Sequence, residues 1–198
     1  MNSIFLALEQ LRTQLSQALP ATPGIRHFDV SFPLNDAFDP LAWLGAQQCY
    51  PQFYWQQRNG DEELAALGAV ITFSSLALAT QFLREQNAAG DTRICGLNAF
   101  NPEQGSLFLP RLLWRRTAGT ATLRLQLWSD YSLQEDAHAA RDFLQQLQPA
   151  RPIRPLAVQV EHENHQPQRA EWLKLVRRAT ETIACGDFEK VVLARATD

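Results

Sequence analysis

The sequence predicts an α+β protein built on largely antiparallel β-sheet, with helices packed outside it. Two observations carry this. Short apolar and β-branched runs follow one another across tight turns, and helical patterns are inserted between them instead of alternating with every strand. A third observation argues against a doubly wound nucleotide fold: neither GxGxxG nor GxxxxGK[ST] occurs anywhere in the chain.

The elements follow in order. Ile4, Leu8, Leu11, Leu15 and Leu19 recur at helical spacing and predict an amphipathic helix. It lacks the basic start of a targeting segment, and Glu9 and Arg12 interrupt its apolar run. PATPG breaks the chain, and residues 25–32 alternate as a strand. Asp39 before Pro40 reads as an N-cap with proline at the first helical position, opening a short helix through Ala46. PQFYWQQR predicts a strand with Phe53 and Trp55 on one face. After the NGDEE turn, residues 64–73 predict its hairpin partner. Ser74 or Ser75 caps a helix to about Asn87. Strands are expected over 93–100, 107–116 and 120–128, the last two joined by an Ala-Gly turn.

Ser132 with Glu135 forms a capping box that opens a helix to about Gln146. PARPIRP, with three prolines in seven residues, admits neither helix nor central strand and marks a linker. The chain therefore divides into an N-terminal α+β region, residues 1–150, and a linker with the start of a further domain, residues 151–198. Beyond the linker come a strand over 156–161 and a helix over 168–185, with Trp172, Leu173, Val176, Ala179 and Ile183 along one stripe. Gly186 stops that helix, and a buried strand is expected at residues 191–194.

Composition narrows the function classes. The 198 residues are 45% apolar and 20% charged, ordinary for a globular protein. A net charge of -3, with only isolated arginine pairs, offers no track for a phosphate backbone, so nucleic acid is not an expected partner. No stretch resembles a membrane span. Cys49, Cys95 and Cys185 are odd in number and form no CxxC, which fits reduced thiols in the cytoplasm. EHENH at 161–165 looks metal-like, but HExxH spacing would need histidine where Gln166 stands, and a solvated strand end is the simpler reading. The aromatic run Tyr50, Phe53, Tyr54 and Trp55 either lines a ligand pocket or fills a core from alternating strand faces.

Lys190 is one of only two lysines among 18 basic residues. On strand alternation it shares a face with Phe188, Val192 and Ala194. Burial there would strip water from the ammonium and favour the free amine, a base able to take a proton. The alternative is an amine that reaches out to water from the strand start.

The segment TIACGDFEKVVLAR, residues 182–195, resembles the signature of the chorismate-utilising enzymes. ATPGIR, YPQFYWQQRNGDEE, GLNAF and LPRLLWRR extend the resemblance, over essentially the whole chain, to the isochorismate-forming members of that family. The resemblance implies a layered α/β/β/α fold of two large antiparallel sheets and chorismate as the small-molecule substrate. It also implies a Mg2+-dependent transposition in which water adds at C2 while the C4 hydroxyl leaves, and it assigns the water-activating base to Lys190. Family members that use ammonia typically carry glutamine at that position. The resemblance further implies that the general acid and the magnesium ligands lie beyond residue 198, so that this chain is an N-terminal portion, inactive alone. Salicylate formation, isochorismate formation in a siderophore pathway, and a non-catalytic amino-acid-binding regulatory module remain the alternatives.

Overall fold

A computed structural model describes residues 3–33, 38–87, 91–101, 103–153 and 157–198. They fall into two compact units, Met1–Ile153 and Arg154–Asp198.

In the first unit, helix α1 (Ser3–Leu15) buries Ile4, Ala7, Leu8, Leu11 and Leu15, the spacing that the sequence foretold. The helix ends there instead of reaching Leu19. The Ser16 hydroxyl donates to Thr13 O (2.6 Å), and Leu19 packs on the core as a partly buried residue outside the helix. Helix α2 (Pro40–Gly45) is capped as expected: Asp39 Oδ1 accepts from the N–H groups of Leu41 (2.9 Å) and Ala42 (3.1 Å). Ser75, not Ser74, caps α3 (Leu76–Glu85). Ser132 caps α4 (Leu133–Gln146) through the Glu135 N–H. The return arm of the capping box is replaced, because the Ser132 N–H donates to the Ser129 hydroxyl (2.9 Å).

Strands β1 (Gly24–Pro33), β2 (Gln52–Gln56), β3 (Glu62–Phe73), β4 (Cys95–Asn98), β5 (Gly105–Thr117) and β6 (Thr120–Ser129) form one antiparallel sheet. Its order is β1-β6-β5-β3-β2, with β4 also paired to β5. β4 is shorter than the expected 93–100. Gly96, at φ +139°, lies so near β5 that a Cβ there would stand 2.1 Å from Ser106 O, so the approach requires glycine.

Period-2 alternation gives the sheet two different faces. Phe28, Val30, Ala65, Leu67, Leu112, Trp114, Leu123 and Leu125 point towards α1, α2 and α4 and join their apolar residues in the main core. Leu64, Ala66, Phe108, Leu113 and Cys95 make a smaller cluster. Helix α3 covers a third, in which Phe82 packs on Phe73 and Trp128.

In the second unit, α5 (Arg169–Ala184) is stopped at Gly186, which takes φ +83° and returns its N–H to Ile183 O (3.0 Å). A two-stranded pairing joins β7 (His165–Gln166) to β8 (Ala196–Thr197). Two sequence expectations fail in this unit. Leu156, where a strand was expected to begin, lies outside the described residues, and residues 157–161 form no strand; Val158 and Val160 are exposed. Residues 191–194 likewise form no strand, and Val192 is 81% exposed. A strand exists only against a hydrogen-bonded neighbour, and none of the described residues pairs with either run. The stripe on α5 is also uncovered, with no buried residue on the helix and Leu173, Val176 and Ile183 exposed.

Candidate functional site

Lys190 stands four residues after the helix-ending Gly186, in a segment without regular structure, and is exposed. The expectation of a buried strand face shared with Phe188, Val192 and Ala194 is therefore corrected: Phe188 and Val192 are themselves exposed, because no neighbouring strand covers them. The ion pairs among the described residues do not include Lys190, so its amine is not committed to a carboxylate. Downstream, the Arg195 Nε donates to Pro167 O (3.1 Å), and the Thr197 hydroxyl lies 2.9 Å from His165 Nδ1. These contacts tie the end of the signature segment to the turn before α5.

His165 also stands 3.5 Å from Glu163, which accounts for part of the EHENH run as local polar contacts. Among the described residues, no three His, Cys, Asp or Glu side chains converge as a metal site. The residues present therefore do not fit the Mg2+ that the resemblance implies. The aromatic run at 50–55 does not assemble a pocket either. Tyr50 is exposed, Phe53 packs in the small cluster, and Tyr54 packs on the main core from the other face of β2.

The structure brings together a charged constellation that the sequence analysis missed. Asp29 and Arg124 are direct cross-strand partners on β1 and β6, and they form a two-pronged ion pair with both distances 2.7 Å. Arg124 also donates to the Asp91 backbone oxygen (3.0 Å) and carboxylate (3.2 Å), while Arg115 reaches Asp91 and Glu62, both at 2.7 Å. Asp29, Asp91, Arg115 and Arg124 line a cavity of about 240 Å³ with Ser31, Leu113 and Thr122. The hydrogen bond to Asp29 raises the Arg124 guanidinium above its ordinary value despite partial burial. Arg93 also lies 3.8 Å from Glu62 and 3.9 Å from Asp91, so three arginines offset three carboxylates, and the arrangement fastens Asp91 over the sheet without leaving an unpaired base or acid within it. Sequence alternation does place Asp29 and Arg124 on a common face, but it cannot show that β1 lies beside β6.

Three other groups are perturbed by burial, and among them the Cys49 thiol is raised by desolvation. The Cys95 thiol is pushed up to about 12 by desolvation. Tyr54 is also raised to about 12, by desolvation and then by its hydrogen bond to Glu63 (2.7 Å). A folded-state value above the unfolded one gives stability that is complete below the unfolded value and disappears as pH rises through the folded one. Unfolding midpoints in urea are therefore expected to fall from about pH 9 towards pH 12. Cys95→Ala is expected to flatten the decline that begins near pH 9, the thiol's ordinary value; parallel profiles for the two proteins would refute the assignment.

Comparison with known proteins accords with the signature at Lys190. The family model described as chorismate binding enzyme matches residues 15–198. The chain is 56% identical, over all 198 residues, to isochorismate synthase MenF of Escherichia coli strain K12. It is 31% identical over 158 residues to isochorismate synthase MenF of Pasteurella multocida, which covers 79% of this chain and 35% of that protein. A solved structure of MenF, the menaquinone-specific isochorismate synthase from Escherichia coli, superposes with a TM-score of 0.83 at 55% identity, covering 99% of this chain and 46% of that one. The chain thus spans less than half the length of these relatives, 46% of the Escherichia coli protein. A family match over residues 15–198, carried on an antiparallel sheet of the same fold, shows that the chain belongs to the chorismate binding enzyme family.

Proposed function

We propose that the complete protein is an isochorismate synthase that converts chorismate to isochorismate for menaquinone formation, with Lys190 as its general base. The supporting observation is lysine at position 190 within a chain 56% identical along its whole length to MenF of Escherichia coli. The chemistry asks two things of the protein. Water is too weak a nucleophile at neutral pH, so an amine must take its proton as the oxygen adds at C2. The C4 hydroxyl is a poor leaving group and must be protonated as it departs, so a separate acid is needed. Lys190 Nζ, in none of the ion pairs among the described residues, supplies the first function once burial in the complete protein favours its free-amine form. The acid and the magnesium ligands are assigned to parts of the protein outside residues 1–198. The same additional chain would give residues 191–194 neighbouring strands and cover α5, which would return Lys190 to a sheltered site. The three thiols are unpaired, in keeping with the cytoplasm.

Product analysis of the purified full-length protein with chorismate and Mg2+ tests the reading, the expected product being isochorismate. Salicylate with pyruvate would instead identify a salicylate synthase, and no turnover with chorismate would defeat the proposal. Residues 1–198 alone are expected to give no isochorismate and to bind a hydrophobic dye, because Leu173, Val176, Ile183 and Val192 lie uncovered. Steady product formation by that fragment, or a dye-silent fragment that stays monodisperse on warming, would contradict this.

A further inference from the structure

We propose that the first unit carries a binding site for a small, uncharged ring compound bearing a carbonyl oxygen, seated between α1 and the chain that follows α4. A cavity of about 110 Å³ opens there, lined mainly by Ile4, Leu8, Trp43, Leu147 and Pro149, with Phe5, Gln148 and Ala150 at its rim and Arg12 on its wall. Ile4, Leu8 and Trp43 belong to the buried core, whereas Phe5 is 54% exposed, so the cavity has a dry floor and a mouth to solvent.

Arg12 supplies the chemical discrimination. Its Nη2 donates to Leu144 O (2.7 Å), and its Nη1 is held by Glu9. Its Nε is buried and has no acceptor. A buried donor without a partner costs free energy that an incoming oxygen would recover. The guanidinium is already paired with Glu9 and no other charged side chain lines the cavity, so a carboxylate would lose hydration there without a free countercharge. A neutral carbonyl satisfies Nε at much lower desolvation cost. Dry cavities of about 150 Å³ hold benzene. This smaller but open one takes part of a single ring and lets the remainder of the ligand project past Phe5.

The test uses the full-length protein and three probes of similar shape: acetophenone, ethylbenzene and benzoate, titrated by ligand-observed NMR. Acetophenone is expected to bind, and to bind more tightly than benzoate. Because ethylbenzene gains more from apolar burial, the informative quantity is the acetophenone-to-ethylbenzene affinity ratio. That ratio is expected to fall roughly five- to tenfold in Arg12→Met, the worth of one hydrogen bond. Arg12→Lys, which keeps the charge but lacks Nε, gives the same test should the methionine variant fold poorly. Ala150→Trp, a change at the exposed rim, is expected to abolish binding of both neutral probes. The proposal is overturned if acetophenone does not bind, if benzoate binds more tightly, if the ratio is unchanged in whichever Arg12 variant folds, or if Ala150→Trp leaves both affinities intact.

Discussion

Lys190→Gln in the full-length protein is expected to lower chorismate turnover at least about 100-fold, because general-base catalysis is typically worth on the order of 10²- to 10⁴-fold. Glutamine keeps a polar side chain of moderate length and cannot accept a proton from water. It is also the residue typical of family members that use ammonia, so the substitution tests the base and not the space. The effect should fall on kcat, with KM changing much less, since the amine acts on water and not on the substrate carboxylates. Stability should change little, since in the sheltered position proposed for Lys190 in the complete protein an amide in place of the amine removes a desolvation cost. Steady-state kinetics with a parallel unfolding curve would check both halves. A folded variant with near wild-type turnover would remove Lys190 from the mechanism and send the search for the base elsewhere in the complete protein.

The largest stability effect is expected at Asp136. Arg111 on β5 is 7% exposed and grips Asp136 on α4 with two hydrogen bonds of 2.6 Å. Arg111 also donates to Gln126 O (2.9 Å), and Asp136 accepts from the Trp128 N–H (3.0 Å). The pair thereby ties helix to sheet and satisfies backbone groups where the β5–β6 pairing ends. Asp136→Ala leaves a buried guanidinium without its countercharge, and such removals cost roughly 3–5 kcal/mol. Replacing both partners, Arg111→Met with Asp136→Leu, should restore much of that loss, because the unpaired charge disappears with its partner. Denaturant unfolding of the single and double variants measures the difference. A double variant no more stable than Asp136→Ala would show that the pair's worth lies in its bonds to the backbone. Asp91→Ala offers the contrast: its carboxylate touches three arginines yet is 52% exposed, so a loss within about 1 kcal/mol is expected.

Much of the first unit was legible because its cues are local. Asp39 with Pro40, Ser75 and Ser132 cap helices through bonds to residues two or three positions away, and any chain with those residues in that order can make them. Ser129 shows the limit even of a local motif, since its hydroxyl took the Ser132 N–H that Glu135 was expected to hold. The Lys190 signature was likewise legible, as a pattern of consecutive residues, and the family match over residues 15–198 accords with it.

By itself, then, the sequence determined the α+β class, the order of helices and strands to Gln146, the helix stop at Gly186 and the family resemblance, all of which depend on neighbours along the chain. Only the tertiary structure decided which strands lie side by side, and with that the pairing of Asp29 with Arg124 across 95 positions and of Arg111 with Asp136 across 25. It also decided that residues 191–194, although apolar and β-branched, form no strand here. The reason is the same in each case: a charge finds its partner, and a strand its ladder, only where the fold sets a complementary neighbour beside it.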